Sequence, residues 1–493
     1  MNANSSQPTS VPSTAGRLSF LVALLIVLGC AASLLTFKLG EWSWDKDEVA
    51  SLVELGVREN EFARGKLASQ IERLPRLLPV WYGAQRVVLR FLPPDEFGAR
   101  LLQAICGVVT VGLAFSLGWA WRGGRFAVAL AILLGMNQTF VWLVQQNRFY
   151  SMALMFTVMA LGAIWWQTRK HVVALVACAI LSALAVLSHN LLTVVFGIGF
   201  IAAILCFIVG AVPWYVLART ATTAAVGFGI HFLYLRPLMS GWISGGTGET
   251  SELVSFAAQL GIPTAALAAL GIGLSLRGGL RQADLLWWTA TLIGGVCFIG
   301  LSPWLIGNWN ARYALLFMPS FWVLAAYGVE QVANALPSSW GRFVWYTCVV
   351  LLLLPKLASH YLDGTRHDFR AAGQWVAENA RVGEAVFCDF PMELDYYIRQ
   401  YRSLKPAFWN PQGELPEQGF LVVLASNAYQ PPLRLRQRSV TLLEDFFVRR
   451  FDEQSHVIRI YRVLPRRIPG GSNPNGAPPE TRRRARGAGE DAT

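Results

Sequence analysis

The sequence predicts a mainly α-helical protein, a polytopic bundle that crosses a membrane about eleven times. Of the 493 residues, 54% are hydrophobic and only 15% are charged, whereas about a quarter of the residues in a typical soluble domain are charged. The mean hydropathy is +0.41. Apolar windows long enough to cross roughly 30 Å of hydrocarbon recur along the chain. They lie near residues 17–38, 100–120, 126–146, 149–167, 172–188, 190–210, 214–235, 262–276, 283–303, 313–334 and 342–360.

The first window is expected to be a retained membrane anchor. It follows residues 1–16, which are rich in Ser, Thr, Asn and Pro and are predicted to be disordered. The window is longer than the apolar core of about 7–15 residues in a cleavable signal peptide, and a charged loop follows it. The segment therefore stays in the membrane as the first span.

Basic residues in short loops predict the orientation of the protein. Cytoplasmic loops of membrane proteins carry an excess of Lys and Arg. Such residues recur in every second short loop, at Arg122, Arg125, Arg169, Lys170, Arg219, Arg277, Arg281 and Arg342. We therefore expect a multi-pass protein of the inner (plasma) membrane, with its N-terminus in the cytoplasm and its C-terminus outside.

Two long loops are predicted on the outer side of a membrane domain that spans residues 17–360. The loop at 39–98 shows helical patterning around 49–72 and 79–92, which makes it a candidate cap over an active site. The loop at 236–261 is rich in glycine, so its backbone has unusual conformational freedom. It is either a gate for substrate or a plain connector.

The chain changes character after the last apolar window. Residues 361–465 are expected to form a small extracytoplasmic α/β domain, with a helix at 367–380 and strands at 385–387, 420–425 and 457–463. From residue 466 to residue 493, Pro, Gly, Asn and a run of arginines predict a disordered tail.

Several classes of protein lack their usual sequence signals here. The formal charge is +12, but the basic residues are spread over loops and the tail, so nucleic acid is not an expected partner. Six of the seven cysteines fall in apolar windows, which argues against a disulfide framework. The sequence contains no GxxxxGK[ST] phosphate loop and no HExxH zinc motif.

The alternation of spans collects polar residues at the outer face, because odd spans end there and even spans begin there. The residues expected at this face are Asp45, Asp47, Glu48, Arg148, His189, Arg236 and Arg312. A carboxylate can act as a general base on a hydroxyl, and arginine can hold a phosphate through paired hydrogen bonds. The plainer alternatives are a solvated acidic loop, a helix-end histidine, and cations, including Lys356, that only reach the headgroups.

Four of these motifs together resemble a known group of proteins. They are Asp47-Glu48, Arg148-Phe149-Tyr150, Ser188-His189-Asn190 and Arg312-Tyr313. The set is similar to the GT-C glycosyltransferases of the dolichyl-phosphate-mannose protein mannosyltransferase and aminoarabinose transferase superfamily, including its bacterial lipopolysaccharide-sugar branch. The resemblance covers residues 17 to about 360.

The resemblance implies an integral membrane enzyme that takes a sugar from a polyprenyl-phosphate donor on the outer side of the membrane. Asp47 is the implied base and Glu48 its neighbour, with Asp45 as the alternative because Asp45-Lys46-Asp47 also spells D-x-D. Arg148, Arg312, Arg236 and Lys356 are candidates for binding the donor phosphate. Tyr150, His189 and Tyr313 are further site candidates.

One departure from the family concerns the turn before Arg148. An acidic residue often stands there in the family, whereas this chain has Gln145, Gln146 and Asn147. A divalent metal is therefore possible but not implied by this turn. The partners expected are the lipid-linked sugar, membrane lipids and an acceptor that is a lipid, a glycan or a protein.

A secondary transporter or lipid flippase is the alternative function. That class predicts charge near the membrane midplane and paired broken helices in two similar halves. Most ionisable residues of this chain instead fall at the ends of the apolar windows. A non-catalytic scaffold whose outer domain binds a partner is a third reading. The enzyme is the interpretation that we favour.

Overall fold

The structure is a bundle of apolar helices followed by a small sheet with two helices against it. The computed structural model describes residues 14–57, 74–168, 170–239, 261–278, 283–305, 316–362, 367–381, 383–401, 404–410, 416, 418–426, 440–448 and 456–464. The expectations for residues 1–13, for most of the loop at 236–261 and for the tail at 466–493 lie outside the described residues. The predicted fold class is confirmed.

The helices of the bundle follow the predicted apolar windows. They are α1 (Thr14–Thr36), α4 (Glu96–Arg122), α5 (Gly124–Gly135), α6 (Gln138–Val144), α7 (Tyr150–Trp165), α8 (His171–Ser188), α9 (Leu192–Ile208), α10 (Trp214–Ile230), α11 (Arg236–Met239), α12 (Ile262–Gly278), α13 (Ala283–Leu305), α14 (Met318–Ala335) and α15 (Ser339–Leu362). A π-helical turn, His231–Leu235, joins α10 to α11. Two short helices precede α4, namely α2 (Lys46–Glu54) and α3 (Pro79–Val88).

Length and composition identify the spans in the described part of the chain. Six helices are long and apolar enough to cross a membrane, and a seventh span is formed if α5 and α6 are counted together. These two helices meet at 62°, where the Asn137 side chain accepts a hydrogen bond from the Phe140 amide and begins α6. Three shorter apolar helices are α7, α9 and α12. The count of eleven crossings stays a prediction.

Contacts at the two ends of the bundle follow the expected up-and-down order. At one end, the Tyr361 hydroxyl of α15 donates to the Leu34 carbonyl of α1 over 2.6 Å. At the other end, Arg122 in the last turn of α4 lies 3.3 Å from Asp284 at the start of α13. Each of these two contacts joins helix ends that the alternation of spans predicts to lie on the same side.

Two glycines allow α12 and α14 to pack backbone to backbone. A Cβ atom built on Gly271 would lie 1.9 Å from the Leu324 carbonyl oxygen, and one on Gly328 would lie 2.5 Å from the Leu267 carbonyl oxygen. Small residues at such crossings are typical of helix packing in membranes, where close backbone contact replaces the hydrophobic effect between helices.

The C-terminal part forms a five-stranded sheet. Its elements are α16 (Phe369–Asn379), β1 (Val386–Cys388), α17 (Pro391–Tyr401), β2 (Pro406–Phe408), β3 (Gly419–Ser426), β4 (Val440–Val448) and β5 (His456–Val463). The strand order is β2-β1-β3-β5-β4. β1 is parallel to β2 and β3, whereas β5 is antiparallel to β3 and β4. The expected helix and three strands are present, and β2, β4 and α17 are additional.

The α/β part shares a hydrophobic core with the loop at 39–98. Trp44 and Val53 of that loop belong to the same buried cluster as Phe369 of α16 and Tyr397 of α17. The boundaries of a separate domain at 361 and 465 stay predictions. The packing shows that the acidic loop is held between the bundle and the sheet.

We expect reporter fusions to reveal the alternation of the helices about the membrane. Fusions after residues 124, 170 and 280 should report a cytoplasmic location, because the short loops at these positions are basic. A fusion after residue 400 should report the outer side. A cytoplasmic signal at residue 400 would contradict the predicted odd number of spans.

Candidate functional site

The acidic motif lies at the start of α2, where it forms a capping box. Asp45 is the N-cap residue, and its Oδ1 accepts a hydrogen bond from the Asp47 amide over 3.0 Å. In return, the Asp45 amide donates to Glu48 Oε2 over 3.1 Å. This reciprocal arrangement satisfies amide groups that the first turn of a helix leaves unpaired.

Glu48 forms a fully buried ion pair with Arg100 of α4. Arg100 Nε donates to Glu48 Oε1 over 2.9 Å, and Arg100 Nη2 donates to Glu48 Oε2 over 3.0 Å. Both side chains are 0% exposed. The remaining guanidinium N–H groups donate to the carbonyl oxygens of Leu39, Trp42 and Ser43. All five guanidinium donors are thereby used, as burial of an arginine requires.

The same carboxylate anchors the loop between α6 and α7. The Asn147 amide donates to Glu48 Oε1 over 2.7 Å. This bond places the neighbouring Arg148 against α2, where its Nη1 donates to the Asp47 carbonyl over 3.2 Å and to Ser51 Oγ over 2.8 Å. Arg148 Nη2 lies 3.8 Å from Asp47 Oδ2. The predicted meeting of the acidic loop with the Arg-x-Tyr motif is therefore observed.

Asp47 and Glu48 are adjacent in sequence but differ in environment. The Asp47 side chain is 39% exposed, whereas that of Glu48 is completely buried. Burial lowers the pKa of the Arg148 guanidinium, but the nearby Asp47 carboxylate and, to smaller extents, Tyr150, Tyr82 and Glu54 outweigh this effect, so the net pKa is raised. Arg148 is thus a permanent cation beside a carboxylate that solvent can reach.

Glu54 is a further carboxylate near Arg148, and it was not among the site residues predicted from the sequence. It lies at the end of α2, is buried, and accepts a hydrogen bond from the Tyr82 hydroxyl of α3. Burial raises the pKa of Glu54 to about 7, although Arg148 and the bond from Tyr82 act in the opposite direction. The available signal was the spacing of Asp47, Ser51 and Glu54, which lie at i, i+4 and i+7 on one helix face.

His189, at the end of α8, and Tyr150, at the start of α7, lie beside Arg148. The His189 ring lies 4.9 Å from the Phe149 ring and 5.7 Å from the Tyr150 ring, measured between centroids. The Leu191 amide donates to His189 Nδ1 over 3.3 Å. Burial and, to a smaller extent, the charge of Arg148 lower the pKa of His189 to about 3. The imidazole is therefore neutral at physiological pH.

The other predicted cations make their contacts elsewhere. Arg236 is exposed at the start of α11, with its guanidinium 5.7 Å from the Phe232 ring centroid. Lys356 is exposed on α15, and its side chain lies against Gly261. Arg312 and Tyr313 lie outside the described residues. Of the three predicted phosphate ligands in the described part of the chain, Arg148 is the one that contacts the acidic loop.

Residues of the α/β part clamp the acidic loop, which sequence reasoning did not predict. The Trp44 amide donates to the Tyr397 hydroxyl over 2.7 Å, and that hydroxyl donates to Glu96 Oε1 over 2.8 Å. Arg370 Nη2 lies 2.6 Å from the same Glu96 oxygen. The loop that carries Asp47 is therefore held by α16 and α17 as well as by α4.

Gln145 makes structural contacts in the turn where the family often has an acidic residue. Its Nε2 donates to the Phe37 carbonyl over 3.0 Å, and its Oε1 lies 2.8 Å from His360 Nε2. The amide joins the ends of α1, α6 and α15. Within the described ranges, no group of three or more His, Cys, Asp or Glu side chains is placed to hold a metal ion.

Comparison with solved structures shows the fold. No family model matches the sequence, and no curated protein matches it. ArnT from Cupriavidus metallidurans bound to undecaprenyl phosphate aligns with a TM-score of 0.54 at 12% identity, over 91% of this chain and 98% of that chain. Its apo state aligns with the same score over 90% and 98%. The Archaeoglobus fulgidus oligosaccharyltransferase in the apo form aligns over 80% and 65% at 14% identity, with a TM-score of 0.45. The chain has the GT-C-type fold that its motifs implied.

We expect Glu48→Gln to destabilise the protein strongly. The substitution leaves Arg100 as a buried charge without its counterion, which typically costs about 3–5 kcal/mol of unfolding free energy. Thermal melting of the purified protein, followed by tryptophan fluorescence, measures the loss.

Glu41→Gln is the matched control for this prediction. Glu41 pairs with Lys38 at 3.4 Å, but its side chain is 63% exposed. An exposed pair contributes about 0–1 kcal/mol. Equal losses of melting temperature in the two variants would show that the Arg100–Glu48 pair does not hold the loop.

Proposed function

We propose that this protein is a membrane glycosyltransferase that moves a sugar from a polyprenyl-phosphate donor to an acceptor hydroxyl on the outer side of the membrane. The observation that carries the proposal is the solvent-accessible Asp47 carboxylate held beside the Arg148 guanidinium. The fold shared with ArnT, a protein solved with undecaprenyl phosphate bound, supports the class of donor. The inner membrane, with the N-terminus in the cytoplasm, is the proposed location.

In the proposed reaction, Asp47 is the base. It removes the proton of the acceptor hydroxyl as that oxygen attacks the anomeric carbon of the donor sugar. The bond between the anomeric carbon and the phosphate oxygen breaks, and the electron pair leaves with the lipid phosphate. Arg148 stabilises the charge that develops on this leaving group. Direct displacement inverts the anomeric centre.

The other two acids of the motif have positioning roles in this proposal. Glu48 is saturated by Arg100, Asn147 and the Asp45 amide, so it orients the two segments that carry Asp47 and Arg148. Asp45 caps α2 and remains the alternative base because it lies two residues from Asp47. Glu48 is proposed to act through these neighbours without contacting substrate.

The remaining candidates have supporting roles in this proposal. Tyr150 and the neutral His189 lie beside Arg148. Arg312 with Tyr313, Arg236 and Lys356 are proposed to supply further phosphate or headgroup contacts. The acceptor hydroxyl belongs to a lipid, a glycan or a protein of the cell envelope. Mass spectrometry of lipids and envelope glycans from cells with and without the protein would identify it.

We expect Asp47→Asn to abolish sugar transfer while leaving the melting temperature unchanged. The side chain is partly exposed and keeps its size, so the substitution removes the base without opening a cavity. Turnover of a polyprenyl-phosphate sugar by the purified variant measures the effect.

Asp45→Asn is the control, because Asn caps a helix about as well as Asp. It should retain transfer. An inactive Asp45 variant beside an active Asp47 variant would move the base to Asp45. Full activity of both variants would contradict the proposed mechanism and favour a transporter or flippase.

We expect Arg148→Lys to impair transfer although it keeps the positive charge. A lysine cannot reproduce the planar fork whose Nη1 contacts Ser51 and the Asp47 carbonyl while its Nη2 lies beside the Asp47 carboxylate. Loss of such a contact to phosphate should cost about 2–3 kcal/mol of transition-state binding, a decrease in kcat/KM of roughly 30- to 160-fold.

Arg86→Lys is the comparison, because Arg86 is exposed on α3 and is not one of the proposed phosphate ligands. This variant should keep most of its activity. A fully active Arg148→Lys variant would show that Arg148 only seats the helix at the membrane surface. The phosphate site would then have to be sought at Arg312, Arg236 or Lys356.

A further inference from the structure

Trp44 lies where the α/β part meets the segment that leads into α2. Its side chain is buried. The Arg100 guanidinium of α4 lies 4.9 Å from the centroid of the Trp44 ring, and the Tyr396 ring of α17 lies 5.8 Å from it. Trp44 directly precedes Asp45, the N-cap residue of α2. A shift of Trp44 is therefore passed on to the start of the helix that carries Asp47.

The Tyr397 hydroxyl links Trp44 to the first turn of α4. It accepts a hydrogen bond from the Trp44 amide over 2.7 Å and donates one to Glu96 Oε1 over 2.8 Å. The same carboxylate is paired with Arg370. A carboxylate only accepts, so the hydroxyl proton goes to Glu96 and a lone pair remains for the amide. Burial and, next, the Glu96 charge raise the pKa of Tyr397 well above its ordinary value, so the hydroxyl keeps this proton.

The start of α16 holds the residues that precede Trp44. Arg370 Nη2 donates to the Gly40 carbonyl over 3.1 Å, and the Arg370 amide donates to Ser43 Oγ over 3.2 Å. Ser43 Oγ in turn donates to Asp368 Oδ1 over 3.1 Å. These contacts add to the bond at the Trp44 amide, so the α/β part supports the segment that enters α2.

The helix α2 lies between the α/β part and Arg148. Val49 and Val53 are buried in the same cluster as Tyr397. Asp47, in contrast, approaches Arg148, with 3.8 Å between Oδ2 and Nη2. The helix thus has an apolar contact with the α/β part and a polar contact with the candidate site. The place of the Asp47 carboxylate depends on both.

We propose that Tyr397 is a positioning residue for sugar transfer, which acts through Trp44 to hold Asp47 where it meets the acceptor hydroxyl. Arg148, the proposed phosphate ligand, is anchored by other contacts. Tyr397 therefore contributes to turnover and not to donor binding. The inference rests on the proposed function, since it takes Asp47 as the base.

Tyr397→Phe tests this role, because it removes the hydroxyl and keeps the ring in the core. The Trp44 amide is then buried without its acceptor, which loosens the start of α2. The kcat should fall by about 10- to 100-fold, because a displacement of a reacting group by about 1 Å is enough for such a loss. The KM for donor and the Kd for undecaprenyl phosphate should not change. Turnover is measured on the full-length protein in nanodiscs, with the polyprenyl-phosphate sugar that accumulates in cells lacking the protein and a membrane extract of those cells as acceptor.

Arg370→Gln is a second variant for the same test. The Arg370 side chain is 34% exposed, so the substitution disturbs the core less than a change at Tyr397. It removes the ion pair with Glu96 and the bond to the Gly40 carbonyl. The kcat should fall in this variant as well, again without a change in donor affinity.

Tyr461→Phe is the matched control. Tyr461 is buried on β5, in a cluster of the α/β part that does not include the acidic loop. This variant should keep the wild-type kcat. Hydrogen exchange of the full-length protein gives a readout that needs no substrate, because a buried and bonded amide is protected. The Trp44 amide should lose protection in Tyr397→Phe and keep it in Tyr461→Phe.

The possible failures have different meanings. A wild-type kcat in Tyr397→Phe, or a Trp44 amide that stays protected, would overturn the positioning role and leave the proposed function standing. An equal fall of kcat in Tyr461→Phe would show only a general loss of stability in the α/β part, contrary to the proposal. Weaker binding of undecaprenyl phosphate at an unchanged kcat would move Tyr397 to the donor site. Failure of the wild type to consume the lipid-linked sugar would overturn the proposed function and this role with it.

Discussion

The ion pair between Arg100 and Glu48 is the interaction on which the candidate site depends. Removing two charges from water is expensive, and their mutual attraction offsets that cost only when the remaining donors and acceptors are also bonded. In this pair the remaining groups are bonded. The Arg100 guanidinium donates to three carbonyl groups of the chain after α1, and the Glu48 carboxylate accepts from the Asp45 amide at the start of α2 and from the Asn147 amide. Three separate segments are thus fixed by one pair of side chains.

Environment gives the acids of one short helix three different properties. Glu48 is sealed and permanently paired, Asp47 is open to water beside Arg148, and Glu54 is buried with a pKa of about 7. Enzymes commonly divide work between carboxylates in this way, because burial and neighbouring charge separate their affinities for protons. The type of residue alone would make the three groups equivalent. Their positions along α2 decide which one meets solvent.

The sequence was sufficient for features that depend on local pattern. Apolar windows predicted the helices, and their alternation predicted that the acidic loop and Arg148 would meet. The burial of Glu48 could not be foreseen, because it depends on Arg100, 52 residues away. The partner of Glu54 is Tyr82, and the clamp on Trp44 comes from Tyr397, 353 residues away. Such pairings are set by how helices and the sheet pack, for which spacing along the chain carries no signal.

The hydrogen bond from the Trp44 amide to Tyr397 also implies an order in which the parts of the site assemble during synthesis. The acidic loop leaves the ribosome early, but α16 and α17, which clamp it, are made only after the last membrane helix. During insertion the loop therefore lacks part of its core and the polar contacts of Glu96 with Tyr397 and Arg370. The contacts around Trp44 and Glu96 can form only once α16 and α17 have been made. The fold thereby ties the assembly of the candidate site to the completion of synthesis.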